Sequence, residues 1–195
     1  MANVGDIVVF KHHVCTIAQK RENYFDGKDY WELHAVFEKS LKLFIACDAA
    51  KSPAMRPVMQ KQEAIDLIDS IADAKPVNLE DDAAATAKTS SLQQRQTKEV
   101  YESYLKTLSP KDLVPIIKTC HERTIARKEC GHQATAVDKK YLDLAEGLLC
   151  DELSISLEIP RDQVKDFLVM RIRQVEAASN AEQLRHQAYT TTDIS

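Results

Sequence analysis

Near Pro53 and Pro57 the apolar pattern of this chain changes period, and no other feature limits the fold as much. Before that point the apolar residues come in short β-branched runs, Val4 to Phe10 (VGDIVVF) and Val14 to Ala18. After it, from Lys61 onward, Ala64, Ile65, Ile68 and Ile71 recur at helical spacing, with Asp66 and Asp69 facing outward. Strand patterning in one block and helix patterning in the next predict an α+β chain.

Within the first block, Tyr24 to Trp31 carries Asp26-Gly27 between aromatic flanks. That dipeptide predicts a tight hairpin, because glycine accepts the positive φ such turns require. Tyr30 to Phe37 and Leu41 to Cys47 complete a set of five short strands in under 50 residues. So many short strands predict a small barrel or strongly bent sheet. On Leu41–Cys47, period-2 geometry puts Leu41, Leu43, Ile45 and Cys47 on one face and Lys42, Phe44 and Ala46 on the other.

In the second block the first helix is expected to run until Pro76. Residues 77–91 (VNLEDDAAATAKTSS) lack a sustained apolar face and read as a linker, with Asp81-Asp82 a solvated charge pair. Ser109-Pro110-Lys111-Asp112 is a helix start, followed by the stripe Leu113, Ile116, Ile117 and Cys120. A further helix from about Asp138 turns Tyr141, Leu144, Ala145, Leu148 and Leu149 inward. Another follows Ile159-Pro160 with Val164, Phe167, Leu168 and Ile172. The expected division is a β-rich module at 1–72, a linker at 73–91, an all-helical bundle at 92–176 and a frayed tail at 177–195.

Composition narrows the function classes. Of 195 residues, 44% are hydrophobic and 29% charged, enough apolar material for a real core. The longest apolar run, Leu43 to Cys47, is far short of the roughly 20 residues a spanning helix needs, so no membrane segment is expected. The first residues lack the basic and apolar regions of a signal peptide, and the five cysteines are irregularly spaced. Together these features predict a cytoplasmic protein with reduced thiols.

Four glycines, at 5, 27, 131 and 147, build neither a phosphate loop nor a dinucleotide fingerprint. A Gly-x-Ser-x-Gly elbow is also missing. Cys120-His121 and Cys130-Gly131-His132 have metal-binding donors, but adjacent residues on a helix point about 100° apart and Cys120 belongs to the apolar stripe. A turn or strand-end role suits His12-His13 better than ligation, since the sequence places no third partner beside them. The expectation is a non-enzyme with neither metal nor cofactor.

Net charge is −4, which excludes coating nucleic acid by bulk positive charge. The average hides a gradient. Residues 95–140 hold ten Lys/Arg against six Asp/Glu, a net of +4, whereas 141–175 is −3. The basic stretch is either a phosphate-contacting face or a mixed solvated one.

Val4-Gly5-Asp6-Ile7-Val8-Val9-Phe10, followed by His12-His13-Val14-Cys15-Thr16-Ile17, resembles the CarD/CdnL family of bacterial transcription regulators, whose module also occurs in transcription-repair coupling factors. Tyr30-Trp31-Glu32-Leu33, Leu41 to Ala46, Met55-Arg56-Pro57-Val58 and the helix behind them resemble later family segments, in order. Ser109 to Leu113 and Asp138 to Leu153 resemble its helical part, so that the likeness covers roughly residues 3–175. Departures are His13 for a glycine, and Lys11 and Ala46 for prolines. The family's DNA-wedging tryptophan is also missing, because the chain's single Trp is Trp31 and Leu92 stands nearest to the wedge position.

The resemblance implies a Tudor-like domain docking on the RNA polymerase β subunit and a helical domain that contacts promoter DNA and modulates open-complex stability. Lys42, Phe44 and Ala46 are then the expected polymerase contacts, Phe44 being either an apolar anchor or a residue packed against the nearby helix. Arg95, Lys98, Lys139 and Lys140 match the family's basic positions, with Leu92 as the remaining wedge. Arg123 and Arg127 join the DNA set on charge alone. Binding would be weak and without sequence specificity, by a monomer that polymerase tethers to its promoter. The alternative is a protein-interaction adaptor whose helical module never touches DNA.

Overall fold

A computed structural model describes residues 2–49, 55–79, 91–175 and 177–178. Pro53, Asp81-Asp82 with the centre of the expected linker, and the tail beyond residue 178 lie outside the described residues.

The chain is α+β. Five antiparallel strands, β1 (Ile7–Phe10), β2 (His13–Phe25), β3 (Lys28–Ala35), β4 (Lys42–Ala46) and β5 (Met55–Pro57), form one sheet in the order β4-β3-β2-β1-β5. Two-residue turns with positive φ join the first three, Lys11-His12 (φ 49° and 70°) and Asp26-Gly27 (φ 51° and 68°). Such turns match the right-handed twist of the flanking strands, which is why Asp26-Gly27 is legible as a hairpin.

The sheet is open, which corrects the barrel expectation. Its outer strands β4 and β5 lie at opposite edges and do not pair. Strand β5 has three residues, and Pro57 has no N–H with which to extend a ladder. The strand set is also shifted. The second and third expected strands are one long β2, whose register against β3 shifts between Ile17 and Gln19 and again between Arg21 and Phe25. The fifth strand is Met55–Pro57. One face gathers Val8, Phe10, Cys15, Ile17, Leu33 and Ile45 into a core, with Trp31, Leu41 and Leu43 packed against it.

Helices α1 (Lys61–Asp69), α2 (Ser91–Lys106), α3 (Leu113–Glu129), α4 (Ala136–Leu157) and α5 (164–175) surround a second core. Ala64, Leu67 and Ile68 of α1 pack there with Tyr101, Ile116, Leu149 and Leu153. Helix α1, counted with the first 72 residues on sequence, thus shares its core with the helical part. It also ends at Asp69 rather than at Pro76. Beyond it Lys118 Nζ donates to the carbonyls of Ala72 and Ala74 (3.2 and 2.5 Å), and the Val77 N–H donates to Thr119 Oγ1 (2.7 Å). These tertiary bonds hold the turn and irregular segment at 72–77 against α3, overriding a helical pattern that the apolar spacing alone supports.

Helix α4 is the longest element and the bridge to the sheet. Thr135 caps its start, accepting from the Asp138 N–H at 3.0 Å, and Glu158 ends it in the left-handed region before Pro160. Leu144, expected inward, is 37% exposed and lines a small cavity with Val14 and Phe37 of the sheet module.

Candidate functional site

Strand β4 is an edge. Leu41 accepts from the Ala35 N–H (3.1 Å) and the Cys47 N–H donates to Asp29 (2.9 Å), so the odd-numbered residues turn their peptide groups toward β3. Antiparallel alternation then turns the N–H and C=O of Lys42, Phe44 and Ala46 away from the sheet, where no strand among the described residues meets them. Their side chains share the face opposite the core, as the period-2 reading expected. The three residues chosen on sequence therefore carry both the free hydrogen-bonding groups and the outward side chains of this edge.

Phe44 packs on an aromatic neighbour rather than a helix. Its ring stacks on Tyr24 at 4.8 Å and 11°, Tyr24 meets Tyr30 edge-on at 5.7 Å, and Phe25 meets Tyr30 at 6.5 Å. Tyr24 is 50% exposed and Phe25 67%. Four rings at the end of β2–β3 and on β4 form an apolar platform in water, the composition that interfaces favour.

Beside the platform lies a group that motif reading missed. The Glu32 side chain is 2% exposed on the same outward face, directly across from Phe44. Its carboxylate accepts from His34 Nε2 (2.7 Å), Arg21 Nε (2.7 Å) and Gln19 Nε2 (2.8 Å), with Lys42 Nζ 3.7 Å away. The bonds from His34, Arg21 and Gln19 pull its pKa down to about 2 against the desolvation that opposes them. The signal available in sequence was the alternation around it. Glu32, His34 and Lys42 fall on one face of two neighbouring strands.

On the helical side the basic candidates separate into two groups. Arg95 and Lys98 are exposed on α2 and pair along the helix with Glu99 (2.9 Å) and Glu102 (3.6 Å). The Tyr141 hydroxyl of α4 donates to the same Glu102 at 2.9 Å, lowering its pKa, and Lys140 Nζ lies 5.6 Å from the Tyr141 ring centre. Lys98 and Lys140 are thereby gathered where α2 crosses the start of α4. Lys139 is exposed beside Lys140, and Leu92 is 63% exposed two turns before Lys98.

Arg123 and Arg127 point inward, which corrects their place in the DNA set. Arg123 is 6% exposed, with Nε 3.1 and 3.2 Å from the two oxygens of Asp138, a carboxylate with no exposed surface. Tyr101 Oη and Thr135 Oγ1 donate to the same carboxylate at 2.9 and 2.8 Å. Arg127 donates to the Gln133 carbonyl at 2.7 Å. The cause is helical spacing. Residues 116, 120, 123 and 127 lie on one stripe of α3, and both arginines continue the Ile116–Cys120 face.

The remaining chemistry is structural. Cys120 is fully buried, its thiol pushed up to about 11 by desolvation, and His121 points away to Glu146 Oε1 at 3.0 Å. His12, in the β1–β2 turn, bonds the Leu105 carbonyl through Nε2 at 2.8 Å. No three His, Cys, Asp or Glu residues among those described could hold a metal ion together. An open cleft of about 940 Å³ lies between β5, α1 and the start of α3, lined by Arg56, Met59, Leu67, Tyr104, Lys111 and Pro115. Among the described residues no helix is long and apolar enough to cross a membrane.

No protein-family model matches the chain, and no curated protein matches it.

Proposed function

We propose that this chain is a transcription regulator of the CarD/CdnL kind, docking on the RNA polymerase β subunit through the β4 edge and tuning promoter open complexes through the α2–α4 face. One observation supports it most. Lys42, Phe44 and Ala46, which the resemblance implies as polymerase contacts, expose their backbone groups along an unpaired edge beside an aromatic platform. An edge of that kind accepts a partner strand, with main-chain hydrogen bonds for affinity and alternate side chains for specificity. On the DNA side the reading rests on Arg95, Lys98, Lys139 and Lys140, with Leu92 as the apolar tip. Phosphate contacts by so few cations are weak alone and steeply salt-dependent, so polymerase supplies the localisation.

Binding of the isolated β-subunit lobe to Phe44→Ala and Lys42→Glu tests the docking edge. Both variants are expected to weaken it; unchanged binding in both removes the reading. Lys139→Glu with Lys140→Glu is expected to change open-complex lifetime without altering lobe binding.

A second reading draws on the inward Arg123 and Arg127. With those cations withdrawn, and Arg95 and Lys98 paired to Glu99 and Glu102, the helical face is less basic than its composition implied. An adaptor that binds another protein through this module fits that balance. Unchanged open-complex lifetime in the lysine variants selects it.

A further inference from the structure

We propose that the β4 edge also pairs with itself. Two copies join antiparallel through Lys42–Ala46 about a two-fold axis at Phe44, and this dimer and the polymerase complex exclude one another. The exclusion rests on the docking edge proposed above, whereas the self-pairing does not.

The backbone is self-complementary. Outward peptide groups sit at 42, 44 and 46, evenly spaced about 44. In an antiparallel pair centred there, Phe44 faces Phe44 of the second copy, and each Lys42 faces the other copy's Ala46. All three positions then exchange hydrogen bonds of the closely spaced type, with no outward group of the strand left over.

The charges select this register. A lysine on an edge ordinarily discourages pairing with another strand. Here the antiparallel register carries Lys42 past Ala46 toward Asp48 of the second copy, an acid in the turn just after the strand, paired with Lys28 at 3.5 Å within its own copy. Both side chains are accessible for that, at 57% and 66% exposure. A parallel pair in register would instead set Lys42 against Lys42.

The rings agree. Phe44 already stacks on Tyr24 within each copy, so pairing at Phe44 runs the row Tyr24, Phe44, Phe44, Tyr24 across the two-fold. Five residues a side bury far less than a stable dimer needs. Association is therefore weak and strongly dependent on concentration.

Sedimentation velocity of the full chain over a concentration series tests this. The wild type is expected to shift from monomer to dimer as concentration rises. Lys42→Asp and Asp48→Lys should each weaken the dimer severalfold by setting like charges together, and the double swap Lys42→Asp/Asp48→Lys should restore it. A wild type that stays monomeric overturns the proposal, as does a dimer that neither single reversal weakens. Titrating the isolated β-subunit lobe into the dimer separates the two readings. Lobe binding by a chain that never dimerises removes only the self-pairing, and a dimer indifferent to the lobe removes only the polymerase docking.

Discussion

Arg56 and Glu152, 96 residues apart, are joined by a two-pronged ion pair with Nη1–Oε1 and Nη2–Oε2 distances of 2.5 and 2.7 Å. The pair ties β5 to the C-terminal turns of α4, and the Met59 N–H adds a third bond to Glu152 at 3.2 Å. Glu152 is 3% exposed, so its charge depends on these donors in place of water. His12 on the Leu105 carbonyl and Arg161 over the Phe37 ring, 5.8 Å from its centre, make further links between the sheet and the helices.

Removing one member of a buried pair leaves the other desolvated and unmatched. Glu152→Gln should therefore destabilise the protein by about 3 kcal/mol, the scale for breaking a buried ion pair. Arg56→Met should cost at least as much, because it leaves the buried Glu152 carboxylate with the Met59 N–H in place of a guanidinium, whereas Arg56 is 25% exposed and can turn to water. Urea unfolding followed by circular dichroism measures both. Equal stability of Glu152→Gln and wild type would show that the sheet and the helices are held together by other contacts.

Arg123 and Asp138 form the comparable pair inside the helical core, shared with Tyr101 and Thr135. Arg123→Ala should cost about 3–5 kcal/mol by orphaning a buried carboxylate. Lys139→Ala, one residue along from Asp138 but exposed, should change stability by less than about 0.5 kcal/mol. If Arg123 were instead a surface cation for DNA, the ranking in stability would disappear and only DNA binding would respond.

Glu32 gives the acid limb of stability a specific owner on the sheet. Its folded pKa of about 2 lies below the ordinary 4.5, so its contribution is complete above about pH 4.5 and is lost as pH falls toward 2. Unfolding free energy should therefore decline through that window, and Glu32→Gln should flatten the decline. The same variant leaves Lys42, Arg21 and His34 facing an uncharged amide with one acceptor oxygen in place of two, so the docking proposed for this edge should change with it. An unaltered acid limb in Glu32→Gln would assign the loss to other carboxylates.

These pairs also mark where the sequence stops being informative. Local chemistry is legible. Asp26-Gly27 makes a hairpin because the turn needs positive φ, and Lys42, Phe44 and Ala46 share a face because strands have period 2. Long-range contacts are not. Nothing in Met55-Arg56-Pro57 announces that Arg56 meets Glu152, and that contact accompanies the open sheet with β5 at its edge. Arg123 and Arg127 lie between these cases. Their charge points outward, but their 3.6-residue spacing from Ile116 and Cys120 points inward, and in the folded chain spacing wins because Asp138 and the Gln133 carbonyl satisfy them.

Backbone conformation separates two glycines that composition treats alike. Gly147 lies inside α4 in ordinary helical geometry, where glycine is worse than alanine by about 0.5–1 kcal/mol. A Cβ there would meet Arg161 Nη2 at 3.7 Å, an ordinary contact. Gly27 has open space around it, but its φ of +68° is one that alanine adopts only under strain. Gly147→Ala should therefore stabilise the chain by up to about 1 kcal/mol, and Gly27→Ala should destabilise it by about 1 kcal/mol despite the room available. Thermal melts of the two variants check the opposite signs. A loss of stability in Gly147→Ala would mean that the seam between α4 and the Arg161 turn is tighter than the 3.7 Å approach indicates.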